Sequence, residues 1–365
     1  MINFGALLPH APISVPGIGK AEDLDQLKET ADAMKQIDGI LAQDPPETIV
    51  VFTPHGTVYA DAIVIYNDRI LAGSLERFGL SRRWQWETDL DLVKQIREMG
   101  DKTDLAVFSM AYSEASRGRF DEELDHGVLV PFSFFDPDWA SQVKLVVVPL
   151  SYLPLEELYQ FGKLVQEAAV GLGRRVAVIA SGDLSHCLKP GAPSTYDPRG
   201  EEFDRKLVEL INEGAVEPFF ELDPVLLEKA AECGFRSLIM LLGTMDGIEF
   251  ESKVHSYQGP FGVGYAVASF HPKGDRPSKV ETLIQARIAK VQSRRVTESP
   301  LVKFARGSVE SFIKGEKLEE SSDLNEYLRE RAGAFVSIKK HGQLRGCIGT
   351  TEPTQPDILQ EIKQN

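Results

Sequence analysis

The chain has 365 residues, of which 42% are hydrophobic and 26% charged. This composition is typical of a globular protein with one large domain or two smaller ones. Its formal net charge of −15 is opposite to the basic surface that nucleic-acid binders use, so we expect no nucleic-acid partner. The three cysteines are odd in number and widely spaced, which argues against a disulfide framework and favours a reducing, cytoplasmic location. We find neither a signal-peptide pattern nor an apolar run near the ~20 residues that span a bilayer, so no membrane association is expected.

Strand-like and helix-like patterns alternate through most of the chain. Apolar, β-rich runs predict strands at residues 4–8, 48–52, 105–109, 143–150, 176–179 and 261–270. Periodic apolar positions predict helices at residues 24–41, 89–99, 155–170, 201–212 and 225–242. Residues 61–66 and 69–72 also predict a hairpin, with Asn67 and Asp68 in its turn. The alternation predicts an α/β domain with one central mixed sheet flanked by helices.

A polar stretch with prolines and a glycine separates a region of different character. We therefore expect a first domain at residues 1–272, a linker at 273–280 and a second domain at 281–365. The last of these predicts a charged helix followed by two strands that are joined by a turn at residues 340–342. So short a region is small for an independent core, and we expect a small α+β domain that is incomplete.

Three histidines, His10, His55 and His186, each come just after a predicted strand. In open α/β sheets ligands gather at the carboxyl ends of the strands, so one shared site is expected. Imidazole is a common ligand of divalent iron, zinc and copper. Two histidines and one carboxylate with open positions suit ferrous iron and oxygen chemistry. The alternative for each histidine is a loop residue that bonds to the backbone.

His126 and the adjacent pair Glu232 and Cys233 are further candidates. His126 follows an acidic run and could instead form an ion pair with Asp121, Glu122 or Asp125. A third metal ligand requires an acid or a thiolate, and Glu232 and Cys233 offer both. The alternative is an exposed glutamate at a helix start beside a buried cysteine. On the residues alone, both interpretations stay open.

Five motifs, taken in order, resemble one superfamily. LLPHAP, TPHG, LDHGVLVPFSF, ASGDLSH and AECGFRSLIMLLG resemble the class III extradiol ring-cleavage dioxygenases (LigB-like) and their Memo-like branch, over about residues 1–270. The later segment GAFVSIKKHGQLRGCIG resembles the start of the AMMECR domain. Such a fusion is similar to the AmmeMemoRadiSam system proteins. Within LRGCIG we favour a buried strand position for Cys347 over a nucleophile, because no histidine or acid motif accompanies it.

The resemblance implies roles for six residues. His10 and His55 match the metal-binding histidines of the family. Glu232 lies where the dioxygenases place their metal carboxylate, and Cys233 is the alternative ligand, as in the Memo-like branch. His186 matches the acid–base histidine, and His126 matches a second active-site histidine that contacts substrate or oxygen. Fe(II) is the metal that we expect, with Cu or Zn as alternatives.

The activity implied by the resemblance is that of an oxidoreductase: an Fe(II)-dependent extradiol dioxygenase that acts with O2 on a catechol-like or aminophenol-like aromatic. One alternative is a Memo-like metal-binding protein without dioxygenase activity. Another is a partner or scaffold for a radical-SAM enzyme. Association into a homo-oligomer also stays open.

Overall fold

The computed structural model describes residues 1–112, 123–318, 322–340 and 343–365. The chain divides into two compact units, Met1–Leu283 and Ile284–Asn365. The first three residues of the stretch expected to be a linker, 273–275, belong to a strand that continues through Asp275. The predicted domain boundaries stay predictions.

In the described ranges the strands are β1 (Ile2–Leu8), β2 (Thr48–Thr53), β3 (Ile63–Tyr66), β4 (Ile70–Leu75), β5 (Leu80–Glu87), β6 (Val107–Met110), β7 (Lys144–Pro149), β8 (Val176–Ser181), β9 (Ile248–Gln258), β10 (Tyr265–Asp275), β11 (Phe335–Lys340) and β12 (Gln343–Gly349). The α-helices are α1 (Ala21–Gln26), α2 (Lys28–Gln43), α3 (Leu90–Gly100), α4 (His126–Ser133), α5 (Pro137–Ala140), α6 (Leu155–Gly171), α7 (Arg199–Glu213), α8 (Pro224–Ala230), α9 (Phe235–Thr244), α10 (Val280–Val296), α11 (Pro300–Lys314) and α12 (Ile358–Gln364). None of these described helices is long and apolar enough to cross a membrane.

The first unit is built on a six-stranded sheet with the order β7-β2-β8-β1-β10-β9. Neighbouring strands among β7, β2, β8 and β1 pair in parallel, whereas β10 is antiparallel to both β1 and β9. The predicted central mixed sheet is therefore confirmed. Because four adjacent strands run in the same direction, their carboxyl ends meet at one edge of the sheet.

Both faces of this sheet are buried. In β2, Val50 and Phe52 pack into one hydrophobic cluster, while Ile49 and Val51 pack into a second cluster on the opposite face. Successive side chains of a strand point to opposite faces, so a strand covered on both sides needs an unbroken apolar run. This explains why the parallel strands are recognisable in the sequence.

The hairpin predicted across Asn67 and Asp68 is wrong. Instead β3 pairs in parallel with β6, and β4 pairs antiparallel with β5. Asn67 donates its backbone N–H to the carbonyl of Met110, so the turn residues serve a long-range strand pair. A local turn signal cannot reveal a pairing partner some forty residues away in the chain. The edge strand β9 also had no counterpart among the predicted strands.

The continuous helix predicted over residues 225–242 is also wrong, because the chain breaks between α8 and α9. Ala231 has a left-handed backbone with φ of 52°, which non-glycine residues rarely adopt. The carbonyl of Asp183, just after β8, accepts the backbone N–H groups of Cys233 and Gly234. This tertiary contact takes the place of helical hydrogen bonds and puts Glu232 and Cys233 in a turn.

Two glycines allow α6 and α9 to pack with their backbones in close contact. A Cβ atom at Gly162 would lie 2.1 Å from the carbonyl oxygen of Met240, and one at Gly243 would lie 2.1 Å from that of Tyr159. No side chain fits at either position without moving a helix. The close approach fixes α9, and with it the turn that carries Cys233.

The second unit has a small core of its own, formed by Phe304, Leu324, Leu359 and Ile362. Its strands β11 and β12 pair antiparallel; the predicted turn between them includes residues 341 and 342, which lie outside the described residues. The expectation of a buried Cys347 is wrong, because this side chain is exposed. Its Sγ accepts a hydrogen bond from Ser337 Oγ at 3.0 Å.

We expect Gly243→Ala to lower the free energy of unfolding by about 1–3 kcal/mol, because the added methyl group overpacks the α6–α9 contact. Urea unfolding followed by circular dichroism measures this change. Gly39→Ala is the matched control, since Gly39 lies in α2 and an added Cβ there meets nothing within 4 Å. That change should stabilise the protein by about 0.5–1 kcal/mol. Equal stability of the two variants would contradict the packing argument.

Candidate metal centre

Three histidines meet at the carboxyl edge of the parallel strands. His10 follows β1, His55 follows β2 and His126 is the first residue of α4. The Nε2 atoms of His10 and His55 are 3.3 Å apart, and the ring of His126 lies 4.2 Å from that of His55, centroid to centroid. Among the described residues, these three bring side-chain atoms of the kind that bind metals within 4.8 Å of one another.

Ser181, the last residue of β8, determines which nitrogen of His10 carries the proton. Its hydroxyl donates to the carbonyl of Gly127, so its oxygen is left to accept. The Nδ1 of His10 lies 3.0 Å from this oxygen and therefore donates to it. The lone pair of Nε2 then faces the other histidines, in the form that a metal ion requires.

Asp125 fixes His55 in the same way. One carboxylate oxygen lies 3.2 Å from His55 Nδ1, and the other accepts the backbone N–H of Gly127 at 2.9 Å, which caps α4. The Nδ1 proton of His55 points at the carboxylate, so Nε2 presents its lone pair. A carboxylate behind a metal-binding histidine is a common arrangement that fixes the ring and its tautomer.

In His126 the two ring nitrogens have the opposite roles, with the proton on Nε2 instead of Nδ1. The Nη2 of Arg77 lies 2.8 Å from His126 Nδ1, and a guanidinium can only donate. Nδ1 is therefore the acceptor, and in the neutral ring the proton is on Nε2. With its single lone pair used in this way, His126 has none for a metal and presents a hydrogen-bond donor. The ring of Phe78 lies 5.5 Å from that of His126, centroid to centroid.

Glu232 uses its carboxylate within the turn that precedes α9. Its Oε2 accepts the backbone N–H of Phe235 at 2.7 Å, in the first turn of that helix. Burial raises the pKa of Glu232 to about 7, against the opposing effects of this hydrogen bond and of Arg236. The structure does not bring Glu232 into the histidine group.

Cys233, the next residue, lies closer to the histidines. Its Sγ is 3.7 Å from His10 Nε2 and 3.2 Å from the backbone nitrogen of Asp183, which donates to it. Burial, and then the charge of Asp183, raise the pKa of the thiol. The contact depends on two glycines, since a Cβ atom at Gly182 would lie 2.1 Å from the Cα of Gly234.

His186 lies beside this group but not in it. Its charge helps to lower the pKa of His10, so it lies within electrostatic reach of that side chain. The backbone N–H of His186 donates to Ala230 and its carbonyl accepts from Ser194. Its buried Nδ1 has no hydrogen-bond partner among the residues that the structure describes.

Burial is the main influence on the titration of the site. Burial lowers the pKa of His10 to about 3, and the charge of His55 lowers it further. Burial, followed by the charge of His55, also lowers the pKa of His126 to about 3. For Asp125 burial acts to raise the pKa, but the hydrogen bond and charge of His55 outweigh it and the pKa is lowered. At neutral pH the site therefore holds neutral His10 and His126 and an ionised Asp125.

The structure brings together His10, His55, His126 and Cys233 of the predicted residues, whose roles stay predictions. The sequence did not predict the contacts of Ser181 with His10 or of Arg77 with His126. It suggested Asp125 as a partner of His126, whereas in the structure Asp125 is the partner of His55. The other acids considered for His126, residues 121 and 122, lie outside the described residues. The sequence carries no local pattern that predicts the contact of Arg77 with His126, because the two residues lie 49 positions apart in the chain.

We expect the metal-free protein to lose stability as the pH falls below the ordinary histidine value of 6.5 towards 3. In this range the unfolded chain binds a proton at His10 that the folded protein excludes, so acid favours unfolding. Between pH 7 and pH 5 the loss should be on the order of 2 kcal/mol for this residue. Urea unfolding with a chelator present, at both pH values, measures it.

The control for this prediction is His10→Asn, which keeps a donor for Ser181 but cannot titrate in this range. Its stability should change less between pH 7 and pH 5 than that of the unmodified chain. If both proteins show the same pH dependence, His10 is not held neutral by the fold.

Comparison with known proteins places this geometry in a family. Residues 5–268 match the family described as the catalytic LigB subunit of aromatic ring-opening dioxygenase, and residues 302–365 match AMMECR1. A protein of Clostridium acetobutylicum is 35% identical over 100% of this chain and 78% of its own length. The 2-aminophenol 1,6-dioxygenase beta subunit of a Pseudomonas species is 25% identical over 73% of this chain and 93% of its own length.

A crystal structure of an uncharacterized protein from Escherichia coli K12 covers 73% of this chain and 99% of its own, with a TM-score of 0.51 and 15% sequence identity. That likeness supports the fold alone. The match over residues 5–268 extends across most of the chain and contains every histidine of the site. The chain belongs to the family of the catalytic LigB subunit of aromatic ring-opening dioxygenases, with an AMMECR1 domain after it.

Proposed function

We propose that this chain is a metal-dependent oxidoreductase of the extradiol dioxygenase type, which uses Fe(II) and O2 to open a catechol-like or aminophenol-like ring. The observation that carries the proposal is the pair His10 and His55, whose Nε2 atoms lie 3.3 Å apart at the ends of two parallel strands. Their Nδ1 atoms are held by Ser181 and Asp125. Membership of the LigB family and the aminophenol dioxygenase relative support the same class of reaction.

His10 and His55 would hold the metal, with Cys233 or Glu232 as the third ligand. When bound, such a metal supplies open coordination positions at which a bidentate aromatic and dioxygen are brought side by side. The donor set fits a divalent transition metal, because neutral imidazoles with free lone pairs are among its preferred ligands.

His126 would hydrogen-bond to a reactant. With Arg77 donating to its Nδ1, its Nε2–H points away from that guanidinium and can donate to an oxygen atom of the substrate or of dioxygen. A preorganised donor stabilises negative charge that develops on such an oxygen as the reaction proceeds.

His186 would act as the general acid–base. Imidazole can exchange protons near neutral pH, and this side chain lies next to the histidine group without being committed to the metal. It would accept the proton of a phenolic hydroxyl as the aromatic binds and return a proton to an oxygen atom later in the reaction.

The position of Cys233 favours a second candidate, a Memo-like metal protein without dioxygenase activity. Its sulfur is 3.7 Å from His10 Nε2, whereas the carboxylate of Glu232 is bonded to the backbone of Phe235. Thiolate ligands favour copper(I) or zinc over the oxygen-liganded metals. The identity of the third ligand therefore separates the two candidates.

We expect Cys233→Ala to weaken metal binding more than Glu232→Gln does. Loss of a hydrogen-bond partner behind a metal ligand lowers metal affinity about 10- to 100-fold, and loss of the ligand itself should lower it at least as much. Titration of the chelator-treated proteins with Fe(II), Zn(II) and Co(II) measures this. Thiolate-to-cobalt absorption in the cobalt protein, absent from the Cys233→Ala variant, reports the ligand directly. A loss confined to Glu232→Gln would identify the carboxylate as the ligand instead.

We expect the iron-loaded protein to consume O2 with a member of a catechol and 2-aminophenol series. His186→Ala should lower kcat by about 10²- to 10⁴-fold, the range for general acid–base catalysis, and keep its iron. An oxygen electrode and iron analysis give the two readouts. His255→Gln is the control, because His255 lies on β9 and bonds to Ser269. Loss of iron from His186→Ala would reject the acid–base role, and absence of O2 uptake in every reaction would reject the dioxygenase.

A further inference from the structure

A buried carboxylate that the proposed reaction does not use contacts Ser185, the residue before His186. Asp204, on α7, has no exposed surface. One oxygen accepts the backbone N–H of Ser185 at 2.8 Å, and the other accepts the Ser185 hydroxyl at 2.8 Å and the Tyr257 hydroxyl at 2.7 Å. Three neutral donors therefore converge on one carboxylate. A side chain of this kind is seldom buried without a structural or functional reason.

The residue that Asp204 holds is the one directly before His186. Ser185 is bonded to it through both backbone and side chain. On the other side, the Ser185 carbonyl accepts the N–H of Gly264 at 2.8 Å, and the Leu184 N–H donates to Gly264 at 2.7 Å. A Cβ atom at Gly264 would lie 2.1 Å from Asp204 Oδ2, so the three segments are in close contact. The backbone that leads into His186 is thus fixed from both sides.

The imidazole of His186 depends on this backbone for its direction. Its Nδ1 is buried and has no partner among the described residues, unlike the Nδ1 atoms of His10 and His55, which Ser181 and Asp125 hold. Without a hydrogen bond at Nδ1, the ring is aimed mainly by the position of its own Cα and Cβ atoms. That position is set by the bonds that hold Ser185 and by those of the His186 backbone to Ala230 and Ser194.

We propose that Asp204 is a positioning residue for His186, which keeps the acid–base side chain aimed at the metal centre by holding Ser185. This inference rests on the acid–base role in the proposed function. An amide could not replace the carboxylate, because Asn has a single accepting oxygen. In one orientation its NH2 group would take the place of the oxygen that accepts the two hydroxyls, and in the other it would face the N–H of Ser185, which can only donate. In either orientation one donor of Ser185, its hydroxyl or its backbone N–H, would lose its acceptor, and the loop would loosen.

Asp246 provides a matched control for the loss of such a network. It too has no exposed surface, and it accepts from a tyrosine hydroxyl, a serine hydroxyl and a backbone N–H, those of Tyr159, Ser278 and Lys279. It differs in having the ammonium group of Lys163 at 3.7 Å. Asp246→Asn therefore tests the cost of disturbing a buried carboxylate away from the His186 loop.

The test compares Asp204→Asn, Asp246→Asn, His186→Ala and the double variant Asp204→Asn with His186→Ala, all as iron-loaded full chains. We expect Asp204→Asn to lower kcat by about 10- to 100-fold, as loss of an outer positioning bond does, with iron content and KM little changed. Asp246→Asn should keep its kcat. Asp204→Asn should add nothing to the effect of His186→Ala. An unchanged kcat, or a full further loss in the double variant, would overturn the proposal.

A readout without turnover separates this inference from the proposed function. In the metal-free protein, the imidazole NMR signals of His186, assigned by their loss in His186→Ala, should shift or broaden in Asp204→Asn while those of His255 stay in place. Unchanged His186 signals would reject the positioning role even if the enzyme is active. If no aromatic supports O2 uptake, the dioxygenase fails and the NMR result still decides the role of Asp204. Should Asp204→Asn not fold, Tyr257→Phe removes one donor and should shift the same signals in the same direction.

Discussion

The parallel pairing of β1, β8 and β2 is the constraint on which the candidate site depends. Leu8 pairs with Ser181 and Phe52 with Ala180, so the three strands end at nearly the same level. Whatever follows each strand must then share a small volume at the sheet edge. The hydroxyl of Ser181 and the carboxylate of Asp125 convert this proximity into a defined chemical state, because they fix the ring nitrogens of His10 and His55 that face inward.

The sequence predicts this edge well because strands buried on both faces require unbroken apolar runs. The runs before His10, His55 and His186 are of this kind, so the central mixed sheet and the placement of three histidines after its strands could be inferred without a structure. The roles of those histidines come from the resemblance of the motifs, and they stay predictions. The order of the motifs nevertheless pointed to the LigB family that the comparisons show.

The features that escaped prediction are set by contacts between distant segments. Apolar periodicity runs through residues 225–242, and only the bonds from Cys233 and Gly234 to Asp183 show that the helix breaks there. Glu232 and Cys233 are adjacent in the sequence, so the pattern cannot show which of them lies nearer the histidines. In the structure their side chains have different partners. The same applies to Arg77, which lies between β4 and β5 and contacts His126, 49 positions away in the chain.

The burial of Cys233 has a consequence for proton release. Burial and Asp183 raise the pKa of this thiol, so it is protonated at neutral pH, whereas His10 is already neutral there. A metal ion bound through His10 displaces no proton from that residue, but one that recruits Cys233 must expel the thiol proton. The affinity for a thiolate-bound ion then rises about tenfold for each pH unit. Above the pKa of Glu232, which is about 7, proton release on metal uptake therefore reports whether the metal recruits the thiol of Cys233.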